Sequence, residues 1–276
     1  MENYLYFDTN ILSELAKNEN WWDSLKLFVT DANLTLAVSG AQLAELSDAV
    51  NLHESITNLF WHVPTKAVLT WDEILYRRLD EGNLYDPIEI GIFPYLLRNT
   101  KDVNPKEQFR TVLSDQKMKE ARDIQLSDAK KMRSQIFNNK GNFSPNSQGK
   151  YTPTQASEFS RRLTIQFCQN SKHLPTKVRD ELVHLYKQEG NKIDHFQAIE
   201  VYSHFIFYKY YIACHSGKNL SDFGDLFHVF YLPFVSLAIL ERGMTEILNQ
   251  IKRNHSLLDN VQIENIDYFR KEILKI

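Results

Sequence analysis

The chain has 276 residues, 43% of them hydrophobic and 24% charged, with a formal net charge of -3. That length carries one large domain or a core with a sizeable insertion, and the composition excludes the disordered and fibrous classes. The slightly acidic balance excludes a globally basic surface, so any phosphate-binding region has to be local.

In chain order, residues 4–7 form a short aromatic run that ends in Asp8-Thr9-Asn10, after which Ile11, Leu12, Leu15 and Ala16 recur at helical spacing. Strand, polar turn and helix are expected there. Residues 34–38 repeat the pattern, with Ser39-Gly40 as the turn and 41–50 as the helix. Residues 60–63 read as a third strand closed by Pro64. The middle, 70–216, holds charged helical patterns and no convincing strand. Helices are expected at 105–138 (as one or two), 154–170, 175–188 and 192–214, with a loop at 139–153 rich in Asn, Gly, Ser and Pro. Residues 221–230 then read as a helix capped by Ser221, 235–240 as a buried strand, 243–252 as a helix, 261–266 as a last strand and 269–274 as a final helix. Strands alternating with helices imply a mostly parallel sheet covered on both faces. The fold class is therefore α/β with a large all-α insertion, divided as core 1–69, insertion 70–216 and core 217–276.

Cys168 and Cys214 are the only cysteines. They lie far apart without a CxxC motif, and read as buried free thiols in a reducing compartment. Residues 1–7 hold no basic segment followed by an apolar core of signal-peptide length. The most apolar helical stretch, 201–214, contains His204 and Lys209 and falls short of the roughly 20 residues of a membrane span. A cytoplasmic protein with no membrane partner is expected.

Acids recur where a parallel sheet presents its ligand-binding edge. Asp8 closes the first strand and Glu241 the buried strand 235–240, and carboxyl ends of strands face the ligand crevice. Glu45 sits early in the helix after the second strand. Asp222 and Asp225 lie three apart at a helix start, where the dipole favours carboxylates. Each has a plainer reading: Asp8 or Asn10 as a helix cap, Glu45 as a solvated glutamate, Asp222 as support for a helix N-terminus. The first turn lacks the glycines of a dinucleotide site, and no phosphate-cradling GxxxxGK[ST] occurs. Gathered carboxylates repel one another, and a divalent cation relieves that repulsion while gaining hard oxygen ligands.

On residues 4–12, 39–45 and 225–241 the chain resembles the PIN-domain family, over roughly 1–66 and 217–276. The resemblance implies a PIN-like sheet and a metal-dependent nuclease, most often a ribonuclease of the toxin type. It would leave 5′-phosphate and 3′-hydroxyl ends on single-stranded RNA. It implies Mg²⁺ or Mn²⁺ held by Asp8, Glu45, Asp225 and Glu241, with Asp222 as an auxiliary acid and Thr9 or Asn10 ordering the first acid or meeting substrate. An antitoxin or other protein partner, and a homodimer, fit that family. Where many relatives end the fourth strand in a Thr-Asp-Asp-like sequence, this chain has Leu240-Glu241-Arg242, and Ser236 stands where Asp is frequent. Arg242 is either a phosphate contact or an exposed helix-start residue, and His228 a packed core histidine or a general base.

Residues 101–150 hold eleven basic and six acidic side chains, a local excess of five positive charges. Lys130, Lys131 and Arg133 are the candidates there for following a phosphate backbone, near aromatics that can stack bases, unless they are one solvated helix face. Two competitors remain. A haloacid-dehalogenase-type phosphatase needs a second carboxylate two residues after Asp8, where Asn10 stands. The others are a catalytically inactive PIN-like scaffold that binds RNA or protein, and a DNA-directed nuclease of a defence system.

Overall fold

The computed structural model describes residues 3–68, 105–138, 144–170, 176–192, 194–213 and 221–275. Strands β1 (Asn3–Phe7), β2 (Leu34–Ser39), β3 (Thr65–Val68), β4 (Leu237–Leu240) and β5 (Gln262–Asn265) pair side by side, all parallel, in the order β3-β2-β1-β4-β5. The two ends of the chain thus share one sheet: Leu5, Tyr6 and Phe7 of β1 stand opposite Leu237, Ala238 and Ile239 of β4. Strand order reverses at the β1/β4 boundary, the switch point where open α/β sheets leave a crevice beyond their carboxyl ends.

Side chains alternate between the faces of this sheet. Leu5, Phe7, Leu36, Val38, Leu237 and Ile239 turn to one face, where they meet α1 (Thr9–Lys17), α2 (Trp22–Asp31), α4 (His53–His62) and α5 (Pro105–Ser114). A π-helical turn, Phe269–Leu274, follows the short helical turn Ile266–Tyr268 and brings Phe269 edge-on to Phe7 at 5.3 Å. Tyr4, Tyr6, Ala37, Ala238, Leu240 and Ile263 turn to the other face. Here the cover comes from α9 (Asp194–Phe207), α10 (Ser221–Val229) and α11 (Arg242–His255). Burial on both faces explains why β1 and β4 read as continuous apolar runs.

The middle of the chain supplies α5, α6 (Gln116–Asn138), α7 (Pro153–Asn170), α8 (Thr176–Glu189) and α9, which continues as a π turn, Tyr208–Ile212. No strand occurs among its described residues. It is not a separate lobe, because Val201, Phe205, Tyr208 and Tyr210 share a core with Tyr6 and Ala238. Stacked ring pairs knit that core: Tyr202 on Phe230 at 4.3 Å, Phe207 on Tyr211 at 4.7 Å and Tyr210 on Phe223 at 5.0 Å. Among the described residues no helix is long and apolar enough to cross a membrane.

The expected strand at 60–63 is corrected. Ile56, Leu59, Phe60 and Val63 fall at spacings of three and four, the period of one helix face, and residues 60–62 are the last turn of α4. The strand begins after Pro64, whose carbonyl accepts from the Leu36 amide at 2.8 Å. Two boundaries also move: α3 (Gly40–Leu46) stops before residue 50, and β4 starts at Leu237 after a 3₁₀ turn, Leu232–Phe234.

Candidate active site

Asp8 follows β1, caps α1 and is 4% exposed. Its Oδ1 accepts from the Ile11 amide at 2.9 Å and its Oδ2 from the Glu241 amide at 2.7 Å. Capping and a place in the crevice are therefore not alternatives; one carboxylate does both. Glu241 stands at the same level after β4, as N-cap of α11, and its side chain accepts a short hydrogen bond from the Asn10 amide.

Glu45 is aimed by a separate device. Ser39 caps α3 in a reciprocal box with Gln42, and the Gln42 amide also donates to the Phe7 carbonyl at the end of β1. This ties the start of α3 to the strand that carries Asp8. One turn on, Glu45 Oε2 accepts from Thr9 Oγ1 at 2.5 Å and lies 3.3 Å from His228 Nε2. Its Oε1 accepts from Gln125 at 3.3 Å and from Arg122 at 3.4 Å, both on α6. Gly224 on α10 leaves the necessary room, since a Cβ there would stand 3.2 Å from Glu45 Oε1. Arg122 also holds Asp48 at 2.9 Å.

Helix α10 brings Asp225 and His228, spaced to share a face. Asp225 Oδ2 pairs with Lys209 Nζ at 2.9 Å, and Lys209 is 5% exposed. His228, 3% exposed, places Nδ1 2.8 Å from the Tyr6 hydroxyl, which in turn lies 3.2 Å from Ser39 Oγ. A buried chain Ser39–Tyr6–His228–Glu45 thus joins the α3 cap, the central strand and α10. Both earlier readings of His228 apply at once: it is packed in the core and it lines the crevice.

These residues surround one cavity of about 300 Å³, lined by Asp8, Asn10, Glu45, Arg122, Asp225, His228 and Glu241 among others. Burial lifts the Asp8 carboxyl to about 6, with Glu241 adding to the rise against its hydrogen bonds and His228. Burial likewise raises Asp225, opposed by Lys209 and aided by Glu241. Burial pushes Glu45 upward too, but His228, Thr9 and Arg122 outweigh it and hold it at about 2. His228 is raised despite its burial by Glu45, Asp225 and Asp8.

Other expected positions fall elsewhere. Arg242 is exposed at the start of α11 and paired with Asp267 at 2.5 Å. Lys130, Lys131 and Arg133 are exposed on α6, Lys131 pairing with Asp128 at 3.0 Å, while that helix sends Arg122, Gln125, Leu126 and Ala129 to the cavity. The side chain of Asp222 lies outside the described residues, as do 69–104, 139–143, 171–175, 193 and 214–220. Ser236 precedes β4 at the opposite end of the sheet, bonded to Asn3 at 3.2 Å. Arg122, Gln125, Lys209 and Asp48 were not expected. Lys209 did leave a signal, as the one cation in a run otherwise fit for the core, since a buried ammonium needs a partner.

A hard divalent cation fits the donor chemistry in part. Oxygen donors and crowded charge are present around Asp8, Asp225 and Glu241, each of the two aspartates feeling Glu241. Glu45 is closed onto His228 and Arg122. Among the described residues no three acid, histidine or cysteine side chains already stand together as a ligand group. No family model, curated protein or solved structure matches the chain.

Proposed function

We propose that this chain is a PIN-like, divalent-metal-dependent endonuclease that hydrolyses single-stranded RNA to 5′-phosphate and 3′-hydroxyl ends. The observation that carries the reading is that four carboxylates from four elements, Asp8, Glu45, Asp225 and Glu241, line one cavity at the β1/β4 switch point. Asp8, Asp225 and Glu241 are the residues that would hold Mg²⁺ or Mn²⁺. Such an ion supplies an activated water and stabilises charge in phosphodiester displacement.

The chain's own groups set up that site. Backbone amides of Ile11 and Glu241 fix both oxygens of Asp8, and Asn10 fixes Glu241. His228, Thr9 and Arg122 keep Glu45 ionised and immobile, so it acts as a positioning anion rather than a free ligand. Substrate reaches the cavity past α6, whose Arg122 guanidinium is the cation nearest an incoming phosphate.

The closure of Glu45 and Asp225 onto internal cations favours one second reading, an inactive PIN-like scaffold that binds RNA or a protein partner such as an antitoxin. Incubation with Mn²⁺ and end-labelled single-stranded RNA and DNA separates them. Cleavage of RNA that stops on chelation supports the nuclease, cleavage of DNA alone redirects it to a DNA substrate, and no cleavage of either leaves the scaffold.

A further inference from the structure

Lys209 is the most unusual charged residue in this protein. It lies in the π turn that ends α9, in a stretch buried from residue 201 to residue 211. Single π turns inside helices occur mostly at functional positions, because the extra residue re-aims the side chains around it. Here the ammonium points to Asp225 at 2.9 Å, flanked by the Phe205 ring at 5.6 Å and the Tyr210 ring at 5.9 Å. Asp225 lines the cavity while Lys209 stands behind it. A purely structural contact at this depth is as well met by two apolar residues, because desolvation offsets the attraction of a buried pair.

The charges around the cavity give the arrangement a meaning. Five carboxylates line it, Asp8, Glu45, Asp48, Asp225 and Glu241. Three cations face them: Arg122, Lys209 and the imidazolium of His228. Five against three leaves two negative charges, the complement of one divalent ion. Sites with two metal ions need bridging carboxylates free to serve both. Asp225, the acid that adjoins Glu241 electrostatically and could bridge, is already committed to an ammonium.

We infer that Lys209 is a built-in cation that takes the place of a second metal ion at Asp225, so that the site binds one Mg²⁺ or Mn²⁺ per chain. This rests on the metal-dependent reading above. As a positioning residue, Lys209 acts through Asp225 and does not touch substrate.

The test counts Mn²⁺ bound per full-length chain, by electron paramagnetic resonance of the free ion, and follows the melting temperature alongside. Wild type is expected to bind one ion, and Lys209→Arg one. Lys209→Met leaves a net three negative charges and is expected to bind a second ion, or to hold the first about tenfold more tightly, with a larger Mn²⁺-induced rise in melting temperature. Pairing Lys209→Met with Asp225→Asn restores the balance and is expected to return the count to one. Two ions on wild type overturn the inference alone, whether or not Lys209→Met folds. An unchanged count and affinity in a folded Lys209→Met also overturn it. No Mn²⁺ on wild type overturns the metal-dependent reading itself, and this inference with it.

Discussion

The two sources of the cavity differ in kind. Its acids come from the β-α frame, at strand ends and first helical turns, where the backbone fixes them: both oxygens of Asp8 are held by main-chain amides. Its cations come from the helical middle and from α10, and are held by side chains alone. Strand ends fix where charge must gather, and helices then supply countercharge wherever packing brings them near. Such a site keeps its acids in place through changes in the helices, whereas a lost cation leaves charge uncompensated.

Removing a cation should therefore cost more stability than neutralising an acid. His228→Ala strips Glu45 of its buried partner and Tyr6 of its acceptor, and is expected to cost about 3 to 5 kcal/mol of folding free energy in urea unfolding. A loss under about 1 kcal/mol would mean that Arg122 and Thr9 alone compensate Glu45, and the contrast between frame and helices would fail.

Acid titration sharpens the comparison. Asp8 titrates near 6 in the folded chain against an ordinary 3.8, so its ionised form is disfavoured by folding and stability rises as pH falls from about 6. His228, raised above its ordinary 6.5, acts in the same sense, since its contribution is lost as pH rises through its folded value. Glu45, lowered from 4.5 to about 2, works oppositely: its contribution is present above 4.5 and disappears as pH falls toward 2. In the presence of chelator the melting temperature should increase from pH 7 to about 5 and fall below about 4. A monotonic fall from pH 7 downward would contradict the burial of Asp8.

The smallest effect concerns Gly224. Glycine to alanine within a helix normally gains up to about 1 kcal/mol, but a Cβ here meets Glu45 Oε1 at 3.2 Å. Gly224→Ala should gain less than Gly243→Ala, whose added carbon meets nothing within 4 Å. Equal gains would show that Glu45 yields freely.

Much of the frame was legible in the sequence because it is local. Asp8 and Glu241 end apolar runs, Ser39-Gly40 marks a cap, and Asp225 opens a helix, so each acid announced its place within a few residues. The cations did not, because their partners are distant in sequence: Arg122 lies 77 residues from Glu45, within a charged helix whose pattern marks several lysines and arginines equally. Lys130, Lys131 and Arg133 looked as promising as Arg122, and only packing of α6 against α3 separates them. The misread strand at 60–63 has the same origin, a short apolar run whose period is ambiguous until Ile56 is included.

The most direct test of the account is Asp8→Asn, measured in parallel for RNA cleavage, Mn²⁺ affinity and melting temperature. The amide removes one charge from a crowded pocket and keeps the Ile11 cap, at the cost of one backbone acceptor, so the melting temperature in chelator should change little. Cleavage should fall at least about a thousandfold, and Mn²⁺ affinity with it, because a charge-stabilising contribution of several kcal/mol is lost. A variant that melts like wild type and still cleaves RNA at the wild-type rate would reduce Asp8 to a helix cap and contradict the assignment of this cavity as the active site.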